Sequence, residues 1–302
     1  MTTHPARLLR ELINGDELVI APGVYDGLTA TLVERAGFPA AYVSGASASV
    51  SVLGRPDLGL MSAGEVAAHV VRLRGATSLP LIVDIDTGYG NELNVRHAVE
   101  THIRLGAAAI HIEDQVFPKR CGHLNGKTVV DKEEAVRKVR AAVAARGSND
   151  LVIIARTDAL TPLGLDEAID RGRRFADAGA DMVFVEAPEN RHQMDRITRG
   201  IDVPLVINVI AGSRTPLLTA SDYAGLGYRL GIYPFVNIAA ASAAVDSALT
   251  RLRETGLPPR DAAGPAELFG TVGLDDWLQW PDRLGTAKPP SPARPATGKE
   301  NS

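Results

Sequence analysis

Short runs dense in Val, Ile and Leu recur near residues 18–22, 40–45, 80–86, 108–114, 151–157, 181–187, 203–209 and 228–233. Longer stretches with helical spacing separate them. Runs that are apolar without alternation predict parallel strands covered on both faces. The segments ERAGFPAAYVSG, IRLGAAAIHIED, FADAGADMVFVEA and YAGLGYRLGIYP place Gly37, Gly106, Gly179 and Gly227 at the same point of a repeating unit. Such a glycine suits a helix C-terminus that must turn into the next strand. Eight strand-helix units over about 240 residues predict an α/β fold, a closed (β/α)8 barrel of the TIM type. The alternative is a doubly wound open sheet. It has little support, because no complete GxGxxG follows the first strand and DTGYGN lacks the Lys-Ser/Thr of a phosphate loop.

The helix LLRELIN is expected to cover the bottom or rim of the barrel. Beyond the eighth unit, AELFG and DDWLQW carry Leu268, Phe269, Trp277, Leu278 and Trp280, which need a surface to cover in this subunit or a neighbour's. Residues 1–284 therefore read as one barrel domain with a C-terminal helical extension. Residues 285–302, GTAKPPSPARPATGKENS, read as a disordered tail.

With 45% hydrophobic and 23% charged residues, the 302-residue chain has the composition of a globular protein with a large core. A net charge of -4 supplies no basic field for nucleic acid or an anionic membrane. One cysteine excludes an internal disulfide, and the first residues lack the apolar stretch of a signal peptide. A cytoplasmic location and a small-molecule partner are the expectations.

In a parallel barrel the chemistry collects at the C-terminal strand ends. The second strand here ends in Tyr42 and Ser44, the third in Asp84 and Asp86, and the fourth in His111 and Glu113. The fifth ends in Arg156 and Asp158, the sixth in Glu186 and the seventh in Asn208. A spacing of two puts each pair on one face, while Ile85 and Ile112 point to the other. Asp84, Asp86 and Glu113 would repel one another unless a cation compensates them, and hard oxygen donors favour Mg2+, with Mn2+ possible. The competing account pairs each acid with a basic side chain. Arg156 suits a substrate carboxylate, or else an ion pair with Glu186.

Residues 115–131, QVFPKRCGHLNGKTVVD, are long enough for a lid over the mouth. Lys119, Arg120 and His123 flank Cys121, a cationic setting expected to lower the thiol pKa and suit the residue to proton transfer. Tyr42 is the candidate base, or else a packed ring with a satisfied hydroxyl. Cys121, Tyr42, Lys119 and His123 form the candidate catalytic set.

These motifs resemble the isocitrate lyase and phosphoenolpyruvate mutase superfamily from about Leu18 to about Leu252. The lyase signature K-[KR]-C-G-H stands as Lys119-Arg120-Cys121-Gly122-His123, with SGAS at 44–47, LGRPDLG at 53–59, VDIDTGYGN at 83–91, HIEDQ at 111–115, ARTDA at 155–159 and VEA at 185–187. The likeness is to the short bacterial branch of 2-methylisocitrate lyase, 2,3-dimethylmalate lyase and carboxyphosphonoenolpyruvate mutase.

The resemblance implies a homotetramer that exchanges a final helix between subunits, and Mg2+ bound by Asp84 with Asp86 and Glu113 in its shell. It further implies that Ser44, Gly45 and Ala46 meet a 2-oxo acid and that Asp57 lies near metal and substrate. Arg156 and Glu186 would position the substrate, with Asn208 as a further binding residue. Gly122 and His123 would contact it from the lid, and Cys121 would be the general acid. The chemistry implied is cleavage of a 2-hydroxy di- or tricarboxylate to a 2-oxo acid such as pyruvate plus a carboxylate. A phosphonomutase and a non-catalytic oxo-acid binder are the alternatives. Ala211 replaces a family Glu, and Ala239 replaces an Arg that binds a carboxylate in methylisocitrate lyases. A third substrate carboxylate would then lack a partner unless Arg214 supplies one, which favours a smaller substituted malate.

Overall fold

The computed structural model describes residues 4–260 and 262–284. Eight strands, β1 (Val19–Val24), β2 (Ala41–Val43), β3 (Leu81–Asp84), β4 (Ala109–Glu113), β5 (Val152–Thr157), β6 (Met182–Val185), β7 (Leu205–Asn208) and β8 (Tyr228–Tyr233), pair in chain order. Every pairing is parallel, and β8 closes the barrel on β1 with Val19 opposite Leu230. Each of the eight apolar runs is a strand, and the open-sheet alternative falls. Gly37, Gly106, Gly179 and Gly227 all have positive φ, between 74° and 105°, as the turn from helix to strand requires.

Alternation along the strands sorts the core into layers. Ile82, Ala109, Ile154, Phe184, Val206 and Leu230 point inward and form one buried cluster. Val83, Ile85, Ile110, Ile112 and Ile153 point outward and pack beneath the helices. Ile85 and Ile112 thus face away from the acids beside them, as the two-residue spacing predicts.

The N-terminal helix Pro5–Ile13 closes the bottom. Its Ala6, Leu9 and Ile13 join the inward cluster. Arg10 donates to the carbonyls of Asp150 and Leu151 and to Asp181, all at the entry ends of β5 and β6.

The chain divides into two compact units after Gly256. In the first, the helix Val236–Thr255 buries none of its residues and leaves Val245, Leu249 and Leu252 exposed. The described part of the second contains the helices Pro265–Thr271 and Leu274–Arg283, on which Leu268, Phe269, Trp277, Leu278 and Trp280 are exposed. The tail expected over 285–302 lies outside the described residues. No helix among the described residues is long and apolar enough to cross a membrane.

Candidate active site

The exit ends of the strands enclose a small polar cavity. Tyr42, Asp84, Arg156, Glu186 and Asn208 line it from the barrel. Ser44, Ala46 and Asp57 add a wall from the loops after β2, and Lys119, Cys121, Gly122 and His123 close it from the long segment after β4. Gly45, Asp86 and Glu113 sit just behind this lining. The remaining free space is about 30 Å³, room for a single water. The lid therefore lies shut, and anything larger than a water enters only when it lifts.

The loop after β2 reaches Asp84 through its backbone. Ser44 caps the short helix Gly45–Ala48, and the Gly45 N–H donates to Asp84 Oδ2 at 3.2 Å. A Cβ on Gly45 would stand 3.0 Å from that oxygen, so glycine permits the approach. Asp86, held at φ 47°, donates its N–H to Asp84 Oδ1 at 2.9 Å.

Each acid also has a basic neighbour. His111 Nε2 lies 3.3 Å from Asp84 Oδ1, Lys119 Nζ 2.9 Å from Asp86 Oδ1, and Arg156 Nε 3.3 Å from Glu113 Oε2. Lys119 also bonds Asp57. Arg156 grips Asp158 through two hydrogen bonds of 2.8 and 3.0 Å and pairs with Glu186 at 3.2 Å. The ion pair expected as the alternative for Arg156 is present, and it is one of three.

These surroundings push the acids apart. Burial alone would raise Asp84, but His111, Lys119 and Arg156 beside it hold the carboxyl well below the usual range. Burial raises Asp86 to about 6, with Asp84 and Asp57 adding to the rise against Lys119. Burial also raises Glu113 well above the ordinary value, against Arg156.

Among the described residues, no three His, Cys, Asp or Glu side chains form a ready-made metal cage. The donor chemistry nevertheless fits a hard divalent ion, which needs only one or two carboxylates and completes its shell with water. Buried Glu113 Oε1 has no hydrogen-bond partner, and Asp86 Oδ1 has only the ion contact from Lys119. Both oxygens are acceptors that a cation would satisfy.

The expected low pKa of Cys121 is corrected. Burial pushes the thiol up and outweighs the lowering hydrogen bond of the His123 backbone, while Asp57 and Glu186 add to the rise. The flanking cations turn elsewhere: Lys119 to Asp57 and Asp86, Arg120 to the Asn125 carbonyl. Burial lowers His123, which lies 3.2 Å from Asn208 Nδ2 and 3.4 Å from Glu186 Oε1. Adjacency in sequence does not put a charge beside the sulfur. Tyr42 is likewise a poor free base, since burial and then Asp84 raise its phenol. Its ring stacks on His111, and its Oη lies 2.6 Å from His111 Nε2.

Three features lie outside the residues expected from the strand-end pattern. Asp114 accepts from Thr157 Oγ1, the Asp158 N–H and Arg171, fixing the end of β4 to that of β5. Lys127 joins the lid to Asp158. Ile210, Pro234 and Phe235 give the cavity an apolar side. The GK pair of the lid was a visible signal for Lys127; nothing in local spacing marked Asp114 or the apolar wall. Arg214 turns to Glu189 and Asn125, outside the cavity lining.

A closed parallel barrel with acids, an arginine and a lidded thiol at its strand ends defines a barrel enzyme acting on a small polar substrate. The chain belongs to the phosphoenolpyruvate phosphomutase family, whose model matches residues 9–253. It is 43% identical over 250 residues to 2,3-dimethylmalate lyase of Eubacterium barkeri, covering 83% of this chain and 86% of that one. To 2-methylisocitrate lyase of Aeropyrum pernix it is 41% identical over 253 residues, covering 84% and 81%.

Among solved structures, oxaloacetate acetylhydrolase in complex with 3,3-difluorooxalacetate superposes with a TM-score of 0.90 at 38% identity, covering 94% of this chain and 98% of that one. Phosphonopyruvate hydrolase in complex with oxalate and Mg2+ superposes with a TM-score of 0.84 at 31% identity, covering 93% and 99%. A divalent ion is thus present in that structural neighbour.

Proposed function

We propose that the chain is a Mg2+-dependent carbon–carbon lyase that cleaves a 2-hydroxy di- or tricarboxylate to a 2-oxo acid such as pyruvate and a carboxylate. The observation that carries this reading is a thiol, kept protonated by burial, closing a cavity walled by Asp84, Arg156 and Glu186. The relatives named as lyases support it.

Asp84, with Asp86 and Glu113, would hold the ion, which when bound supplies Lewis-acid polarisation of the substrate oxygens. Ser44, Gly45 and Ala46 contact the 2-oxo acid portion, with Asp57 beside it. Arg156, held by Asp158 and Glu186, presents its remaining donor surface to a carboxylate. Lys119 keeps Asp57 and Asp86 compensated, and His123 with Asn208 holds Glu186 in place.

The hydroxyl proton passes to Tyr42 Oη as Tyr42 hands its own proton to His111 Nε2. The phenol stays neutral, and Asp84 stabilises the imidazolium that forms. The electron pair of the breaking carbon–carbon bond remains on the departing carboxylate fragment, and Cys121 protonates that carbon. A high thiol pKa suits this role, because an acid must hold its proton at the working pH.

The apolar wall of Ile210, Pro234 and Phe235, with Arg214 engaged outside, favours a small alkyl-substituted malate over a tricarboxylate. The working protein would be a cytoplasmic homotetramer, to which the unburied helix Val236–Thr255 and the exposed apolar side chains near Trp277 lend support. The test is a pyruvate and glyoxylate assay across 2,3-dimethylmalate, citramalate, 2-methylisocitrate and isocitrate, with and without Mg2+. Metal-dependent pyruvate release from a substituted malate is expected; no oxo acid from any of the four overturns the reading.

A phosphonomutase is the second reading, because the matched family model is that of such an enzyme. It would show a carbon–phosphorus bond by 31P NMR after incubation with a phosphoenolpyruvate-type ligand.

A further inference from the structure

Lys127 sits in the lid with its side chain almost wholly buried, yet it touches nothing that reacts. Its ammonium donates to the Gly122 carbonyl at 2.6 Å and to Asp158 Oδ1 at 2.8 Å. Gly122 is the residue after Cys121. Asp158 is the carboxylate that clasps Arg156 with two hydrogen bonds.

One buried cation therefore ties the backbone that carries the acid to the strand end that orients the arginine. The base of the lid has its own anchors. Gln115 bonds the Arg120 backbone on both sides, and Val116 and Val130 donate to the Thr128 and Asp114 carbonyls. Nearer the thiol, Lys119 pairs with Asp57 and Asp86, and His123 meets Asn208 and Glu186, each through its side chain. None of these contacts holds the Gly122 carbonyl, which Lys127 takes. Asn125 at the tip takes hydrogen bonds from the exposed Arg214 and from Arg120 of the lid itself.

We propose that Lys127 is a positioning residue, a latch that holds the shut lid in register with the Arg156–Asp158 pair and so sets where Cys121 stands. Its catalytic consequence rests on the lyase reading above; its effect on lid position does not. Charge-assisted hydrogen bonds of this kind are strong when buried, and a buried Asp158 partner makes the closed state depend on the ammonium. Lifting the lid exchanges both bonds for water, which gives a latch that releases at a defined cost.

Cys121 is the sole cysteine, so its alkylation reports the lid alone. The rate of iodoacetamide labelling is measured for the full chain and for Lys127→Met, with the melting temperature and Mg2+ affinity taken alongside. The expected result is labelling faster by about tenfold in Lys127→Met, the loss of two buried charge-assisted bonds favouring the open lid, while the barrel still melts cooperatively and binds Mg2+ as before. Lys127→Gln, which keeps an amide donor, should fall between the two.

On any substrate that the wild type turns over, kcat should fall more than KM rises. Unchanged labelling in a folded Lys127→Met variant overturns the latch. If Lys127→Met does not fold, Lys127→Gln is read the same way. If neither folds, Lys127 is a folding element and the proposal falls. A wild type without lyase activity whose labelling still accelerates in the variant would sink the lyase reading and leave the latch standing.

Discussion

A Cβ on Gly122 would lie 2.5 Å from Arg156 Nη2, closer than any real side chain tolerates. Glu186 would be met at 2.7 Å on the same side. Glycine at this point is what lets the lid backbone press onto the two residues proposed to position the substrate. Both neighbours are buried and fixed by ion pairs, so neither can step aside cheaply.

Gly122→Ala should therefore leave the barrel folded and the lid unable to seat. Misplacement of a reacting group by an ångström costs about 100-fold in rate. The expectation is a loss of that order in kcat, with a melting temperature close to the wild type's. Steady-state kinetics beside a thermal melt checks it, and full activity in the variant would show that the shut lid is not the reactive state.

Cys121→Ser replaces the proposed acid by a hydroxyl that holds its proton far more tightly. Removing a positioned acid typically costs about 10²- to 10⁴-fold. The pH dependence has a definite sign: the acid works protonated, and burial raises its pKa, so activity fails only above the ordinary thiol range. A pH–rate profile whose basic limb in wild type descends below that range, and persists in Cys121→Ser, would assign the limb to another group.

The eight strands and the turn glycines were legible because each obeys a local rule of periodicity or backbone freedom. Asp84, His111, Arg156 and Asn208 were legible for the same reason, since alternation fixes the face and parallel topology fixes the end. Ionisation was not. Lys119 and His123 flank Cys121 in the chain, yet Lys119 faces Asp57 and Asp86, and burial takes charge from His123. Tertiary partners decide that, as they decide that Asp86 and Glu113 rise while Asp84 falls. The Asp114 network was hidden because its partners Thr157 and Arg171 come from other elements.

At the opposite end of the barrel, Arg10 should matter for stability and not for chemistry. Its guanidinium donates to two strand-entry carbonyls and to Asp181, which also accepts from the Ile153 N–H and pairs with Arg146. Arg10→Ala leaves those carbonyls to water, and because the group is partly exposed the cost should be about 1–2 kcal/mol. Urea unfolding should show a lower midpoint with an unchanged slope, and kcat should equal the wild type's. A fall in kcat would mean that the bottom helix communicates with the mouth.

Binding of Mg2+ should weaken as pH falls, and Asp86 sets the window. A carboxylate must lose its proton to hold a cation. In the metal-free protein burial places Asp86 at about 6, above the ordinary carboxylate value, so a large share of it is protonated at that pH. Below pH 6 each further unit should raise the apparent dissociation constant by about tenfold, from the one proton displaced. Well above 6 the dependence on Asp86 vanishes. Glu113, which burial also raises well above the ordinary carboxylate range, would add a second displaced proton if it too must ionise. Calorimetric titration at several pH values, in buffers of different ionisation enthalpy, counts the protons released. Asp86→Asn removes the ionisation and should flatten the slope near pH 6 while weakening binding. A pH-independent affinity between 5 and 7 in the wild type would remove Asp86 from the metal's surroundings.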